Sequence, residues 1–144
     1  MKPMPYILLI EDSEQDEILT IKALKKNKVL NEIKVARDGA EALDLLFTVD
    51  SPLYENELPQ LILLDLKLPK VDGLEVLKNI KSHPRTKLIP VVILTTSKED
   101  SDLLSGYELG ANSYVRKPVD FHEFAEAVKN LGTYWLLLNE RPPV

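Results

Sequence analysis

The chain alternates short apolar runs with longer stretches in which apolar residues recur at helical spacing. Tyr6–Ile10, Leu61–Asp65 and Pro90–Thr95 (PVVILT) are the clearest runs. Each is too short for a helix and lacks polar alternation, the pattern of a strand buried on both faces. Asn31–Ala36, with Ile33 and Val35 in alternation, and Ser113–Arg116 (SYVR) supply two weaker strands. Between them, EDSEQDEILTIKALKKN places Ile18, Ile21 and Leu24 on one helical face, with Ser13 and Asp16 as a capping pair. Gly39–Phe47, and LEVLKNIKS after a turn at Asp72–Gly73, read as helices. Ser97 and Asp100 read as a second capping pair for a helix running toward Gly110, and Asp120 with Glu123 opens a last helix. The polar segment TVDSPLYENELP, residues 48–59, carries two prolines and is a loop. A β-α unit repeated five times predicts an α/β fold, a doubly wound parallel sheet with helices on both faces and right-handed crossovers.

Composition narrows the function classes. With 144 residues and 44% apolar content, one globular domain spanning 1–144 is expected. A net charge of −5 argues against a nucleic-acid binder, which needs a basic face, and against an anionic membrane surface. The absence of cysteine excludes disulfides, thiolate nucleophiles and thiolate metal sites. The N-terminal apolar segment is too short for a signal peptide or a membrane span, so a cytoplasmic protein is expected.

Candidate chemistry collects at one edge. In a doubly wound sheet, sites form beyond the C-terminal strand ends. The first strand ends in Glu11–Asp12, the third in Asp65, the fourth in Thr95, and the fifth is followed by Lys117–Pro118. Three crowded carboxylates repel one another and demand a cation. Oxygen ligands suit a hard divalent ion, Mg²⁺ being the usual one beside phosphates, with Mn²⁺ as a substitute. A metal, a lysine and a hydroxyl together neutralise a transferring phosphoryl group, and a carboxylate can accept one as an acyl phosphate. Asp65, set in the apolar stretch LILLDLKLP, is the candidate acceptor.

The motifs IEDSEQDE, LLDLKLPKVDGLEVL, VVILTTS and GANSYVRKP, in that order, resemble the receiver domains of two-component response regulators over nearly the whole chain. The resemblance implies a flavodoxin-like (βα)5 sheet of strand order 2-1-3-4-5. It implies that Asp65 is phosphorylated by a sensor histidine kinase, and that Glu11, Asp12, Asp65 and the Lys67 backbone carbonyl hold Mg²⁺. Thr95 and Lys117 would contact the phosphoryl group, Tyr114 would be a switch aromatic, and Lys117–Pro118 would be a cis peptide. Lys67 and Ser97, each two residues beyond Asp65 and Thr95, would modulate hydrolysis. The long loop before the third strand, the TTS after the fourth and the ending TYWLLLNERPP resemble the stand-alone regulators of cyanobacterial and bacterial phytochrome kinases. Glu11 departs from the aspartate common in the family and reaches further.

Plainer readings stand beside these. Glu11–Asp12 alone is a strand-end turn as often as a ligand pair, and Lys117 alone is a solvated lysine. Asp72–Gly73 is a turn without chemistry, Asp38 and Asp50 are loop residues, and His83 and His122 lie on the surface. Lys25, Lys26 and Lys28 form a solvated helix face. An aspartyl-nucleophile phosphatase, a flavin-binding electron carrier and a receiver that only binds partners are the competing functions. Phosphatases of that kind pair the nucleophile with an aspartate two residues on, where this chain has Lys67. EDSEQDE would repel a flavin phosphate.

The C-terminal stretch, about residues 120–144, is an extended apolar helix and tail. Phe124, Val128, Leu131, Trp135 and Leu138 form a stripe that can cover the sheet, while Tyr134, Leu136 and Leu137 fall outside it. Either the chain kinks at Gly132 and folds the tail back, or a homodimer covers this apolar face together with the last strand and the preceding helix. The dimer is the reading preferred.

Overall fold

The computed structural model describes residues 6–48 and 58–143. The elements follow in the order β1 (Ile7–Ile10), α1 (Glu14–Lys26), β2 (Ile33–Ala36), α2 (Gly39–Phe47), β3 (Leu61–Leu64), α3 (Gly73–Ser82), β4 (Val91–Thr95), α4 (Asp100–Glu108), β5 (Ser113–Arg116) and α5 (Phe121–Gly132). A π-helical segment, Thr133–Leu138, continues α5. The five strands are parallel in the order β2-β1-β3-β4-β5. Most of the loop expected over 48–59 lies outside the described residues, as does Asp50.

The apolar runs explain the sheet. Every residue of β1, β3 and β4 is buried, because alternate side chains enter two separate cores. Leu8, Ile10, Ile62, Leu64, Val91 and Ile93 pack with α2 and α3 residues such as Leu46 and Leu77. Ile7, Leu9, Leu61, Leu63, Val92 and Leu94 pack with Leu24 of α1 and Phe124 and Val128 of α5. Ile10 is level with Leu64, and Leu64 with Ile93, so Glu11 and Asp65 leave their strands side by side. Thr95 stands opposite Arg116, which brings Lys117 to the same edge.

The caps are mostly as read. Ser13 accepts from Asp16 N at 3.2 Å, and Asp120 accepts from Glu123 N at 3.0 Å. Asp38, expected as a plain loop residue, caps α2 by accepting from Glu41 N at 2.8 Å. The Ser97–Asp100 pair is corrected: the α4 cap position is Glu99, and Ser97 Oγ donates to Asp102 instead. The face chosen for α1 is also corrected in part. Ile18 is half exposed, and Leu19, Thr20 and Ala23 share the inner face with Ile21 and Leu24. Gly73 does more than turn the chain. A Cβ there would lie 2.5 Å from the Asp65 carbonyl oxygen and from Leu66 Cα, so only glycine lets α3 start against the loop that carries Asp65.

The C-terminal stripe holds through Leu131 and then shifts. The chain does not turn back at Gly132; it runs on helically, with Asn139 N bonding Tyr134 O at 2.7 Å in the i→i+5 pattern of a π-helix. The wider turn rotates the following residues. Trp135 and Leu136 pack on the α1/α5 core, whereas Leu138, placed in the stripe by a 3.6-residue period, is 68% exposed. Leu136 therefore leaves the outward set proposed for a dimer, and Tyr134 and Leu137 remain in it. In urea denaturation, Leu136→Ala is expected to cost about 1–2 kcal/mol and Leu138→Ala less than about 0.5 kcal/mol. The reverse order would contradict the π register.

Candidate functional site

The edge beyond the strand ends gathers the residues singled out from the sequence. Lys117, its side chain 3% exposed, is the centre: Nζ lies 2.6 Å from Glu11 Oε1, 2.8 Å from Asp16 Oδ2 and 3.0 Å from Asp65 Oδ2. Thr95 Oγ1 donates to the other Asp65 oxygen, Oδ1, at 2.7 Å, and the Lys67 backbone N–H donates to it at 3.2 Å. Glu11, Asp65, Thr95 and Lys117 are all buried; Asp12 is exposed. Backbone bonds fix the frame: Asp65 N donates to Ile10 O at 3.0 Å and Lys117 N to Thr95 O at 2.7 Å.

Electrostatics separates the two buried carboxylates. Burial pushes the Glu11 carboxyl from its ordinary 4.5 up to about 7, against the pull of Lys117. Burial also raises Asp65, but the Lys117 charge and the hydrogen bonds from Thr95, Lys117 and Glu11 outweigh it and hold the carboxyl below its ordinary range. Burial works against the Lys117 ammonium too, yet the bonds to Asp16 and Glu11 and the charge of Asp65 prevail, so it keeps its proton firmly. Asp65 thus presents an oriented carboxylate, with its pKa held down, beside the Lys117 ammonium.

The order of strands, the acidic pair after β1, the aspartate after β3, the hydroxyl after β4 and the lysine after β5 form one constellation. The sequence model of the family described as response regulator receiver domain matches residues 7–129. The chain is a response regulator receiver domain. The receiver is 42% identical to response regulator Rcp1 of Synechocystis over 135 residues, 93% of this chain and 90% of that protein. It is 42% identical over 139 residues to the probable methanogenesis regulatory protein FilR2 of Methanothrix harundinacea, covering 94% of this chain and 86% of that one. The crystal structure of the phosphorylated cyanobacterial phytochrome response regulator RcpA superposes with a TM-score of 0.91 at 38% identity, over 98% of this chain and 100% of that chain. A Mn²⁺-bound structure of Rcp1 does so with a TM-score of 0.89 at 40% identity, over 97% and 100%.

The receiver's donor set fits a divalent cation. Glu11, Asp12 and Asp65 each offer a carboxylate oxygen, and these oxygens lie within 4.8 Å of one another. On one octahedral Mg²⁺, adjacent oxygens stand about 2.9 Å apart and opposite ones about 4.2 Å, so these carboxylates would close in around the ion. The donors are hard oxygens, and among the described residues Lys117 is the one cation paired with the carboxylates of Glu11, Asp16 and Asp65.

One expectation needs correction and two residues were missed. No peptide bond among the described residues is cis, so Lys117–Pro118 is trans. An X–Pro bond still favours trans by about 0.5–1 kcal/mol, and Lys117 reaches all three carboxylates in that form, so nothing at the site demands the other isomer. Asp16 was read only as part of a helix cap, yet it is a direct partner of Lys117. Asp102 was not read at all, and it binds both Ser97 and Lys67. Only the acidic spacing within EDSEQDE hinted at the first; no signal in the sequence marked the second.

Tyr114 is half-buried on the sheet face shared with Ile93, level with it in the register. Its ring lies 3.4 Å from where a Gly106 Cβ would stand, and its buried hydroxyl has no hydrogen-bond partner among the described residues. His83 and His122 are exposed, as expected. Lys25, Lys26 and Lys28 are exposed as well.

Proposed function

We propose that Asp65 accepts a phosphoryl group from the phosphohistidine of a sensor kinase of the phytochrome type, and that the receiver then signals through its own protein contacts. The observation that carries this reading is the buried Asp65 carboxylate, with Thr95 on one oxygen and Lys117 on the other. An Asp65 oxygen forms the bond to phosphorus as the phosphorus–nitrogen bond breaks, and the leaving imidazole keeps the electron pair and takes a proton. Glu11, Asp12, Asp65 and the Lys67 carbonyl would hold Mg²⁺, which supplies charge neutralisation to the phosphoryl oxygens when bound. Lys117 gives the same oxygens a fixed ammonium. Thr95 exchanges its bond to Asp65 for one to the phosphoryl group, and Tyr114, on the same sheet face, repacks toward the space released.

The likeness to RcpA and Rcp1 supports a phytochrome-type kinase as the donor. Lys67 supports a phosphoacceptor over a phosphatase, since an ammonium at that position cannot serve as the acid/base aspartate. The exposed Tyr134 and Leu137 support a homodimer through the α4-β5-α5 side and the π segment. No helix among the described residues is long and apolar enough to cross a membrane. Phosphotransfer from an autophosphorylated phytochrome kinase tests the donor. Transfer to the wild type within minutes, and none to Asp65→Asn or in EDTA, is expected. Transfer to Asp65→Asn would contradict the reading.

A further inference from the structure

A ring of bonds runs from Asp65 into the first turn of α4 and back. Thr95 Oγ1 donates to Asp65 Oδ1 at 2.7 Å, and Ser97 N donates to Thr95 Oγ1 at 3.4 Å. Ser97 Oγ donates to Asp102 Oδ2 at 2.6 Å, and Lys67 Nζ reaches the same oxygen at 3.4 Å. The Lys67 backbone N–H closes the ring on Asp65 Oδ1 at 3.2 Å.

We propose that Asp102 is a positioning residue that shortens the lifetime of the phosphoryl group on Asp65, by holding the Lys67 ammonium away from it. The proposal rests on Asp65 as the phosphoacceptor. Asp102 is suited to the role because it is itself fixed: its side chain is 16% exposed and bonded to the buried Ser97, whereas Lys67 is 59% exposed and free to swing. Asp102 acts most strongly on the Lys67 charge, ahead of Glu99 and Asp72. The Lys67 backbone nitrogen is already bonded to Asp65, so its four-carbon stem spans the distance to a phosphoryl group carried there. Once Asp65 is phosphorylated, Lys67 has two anions to choose between. In hydrolysis, a water oxygen bonds to phosphorus as the phosphorus–Asp65 oxygen bond breaks. The electron pair returns to the carboxylate, and the water proton leaves with inorganic phosphate or solvent. An ammonium paired with the outward phosphoryl oxygens stands across the approach of that water. While Asp102 retains Lys67, the approach stays open.

Asp102→Asn removes the charge but keeps an oxygen for Ser97, so the fold and the Ser97 bond are retained; a thermal melt checks this. Wild type, Asp102→Asn, Lys67→Met and the double variant are phosphorylated with acetyl phosphate and Mg²⁺, stripped of donor, and followed by intact mass. Asp102→Asn is expected to lengthen the half-life about two- to fivefold, the range that an exposed ion pair supplies. Asp102→Glu should restore it. In the Lys67→Met background, Asp102→Asn should change nothing, an outcome that a merely structural role does not produce. Equal half-lives for wild type and Asp102→Asn, or an Asp102 effect that persists without Lys67, would overturn the proposal. A wild type that takes no phosphoryl group at all would instead sink the reading of Asp65, and this inference with it.

Discussion

Lys117→Met is expected to destabilise the metal-free receiver by about 3–5 kcal/mol, the cost of removing one partner from a buried ion-pair cluster. Methionine keeps most of the lysine stem, so the loss is one of charge and hydrogen bonding. Glu11 and Asp65, with side chains 2% and 7% exposed, would face each other and Asp16 with no counter-ion. For a chain of this size the melting temperature should fall by roughly 6–15 °C in EDTA. Millimolar Mg²⁺ should recover a large part of that loss, because a cation held by Glu11, Asp12 and Asp65 replaces the missing ammonium. Equal melting temperatures for the variant and the wild type in EDTA would show that Lys117 does not hold the carboxylates together.

Metal affinity and metal-free stability are expected to move in opposite directions with pH. The Glu11 carboxyl is raised from 4.5 to about 7 by burial. Between those values the folded metal-free receiver holds a proton that the unfolded chain has released. The Glu11 contribution to stability is therefore fully present below about pH 4.5 and is lost as pH rises through about 7. Asp65 runs the other way. Its carboxyl is held below 3.8, so its contribution is present above 3.8 and is lost only as pH falls through its folded value. A divalent ion needs the ionised Glu11, so Mg²⁺ affinity should climb by up to about tenfold per pH unit toward pH 7, with release of about one proton. Titration calorimetry in buffers of different ionisation enthalpy reads both quantities. Glu11→Gln should flatten the pH dependence. A pH-independent affinity across this interval would contradict the assignment of the buried proton to Glu11.

The fold was legible where burial is two-sided. ILLI, LILL and VVILT read as strands between two cores, while their order around the sheet was implied by the resemblance to receiver domains and not by the β-α alternation. Glu11, Asp65, Thr95 and Lys117 were legible because each ends or follows a strand on one edge. Asp16 and Asp102 were hidden because they sit on amphipathic helices, where an acidic residue reads as a solvated face. Only the fold carries Lys117 to the first, 101 residues away, and Lys67 to the second, 35 residues away. The π segment was hidden because a 3.6-residue period was carried past Leu131, which exchanged Leu136 and Leu138 between inside and outside. The trans Lys117–Pro118 bond was beyond the sequence as well, since proline permits either isomer.

Asp65 as the phosphoacceptor is tested most directly by intact mass after incubation with acetyl phosphate. One added phosphoryl group is expected on the wild type with Mg²⁺, none in EDTA, and none on Asp65→Asn in either condition. A folded, Mg²⁺-binding wild type that gains no phosphoryl group, or an Asp65→Asn variant that gains one as readily, would contradict it.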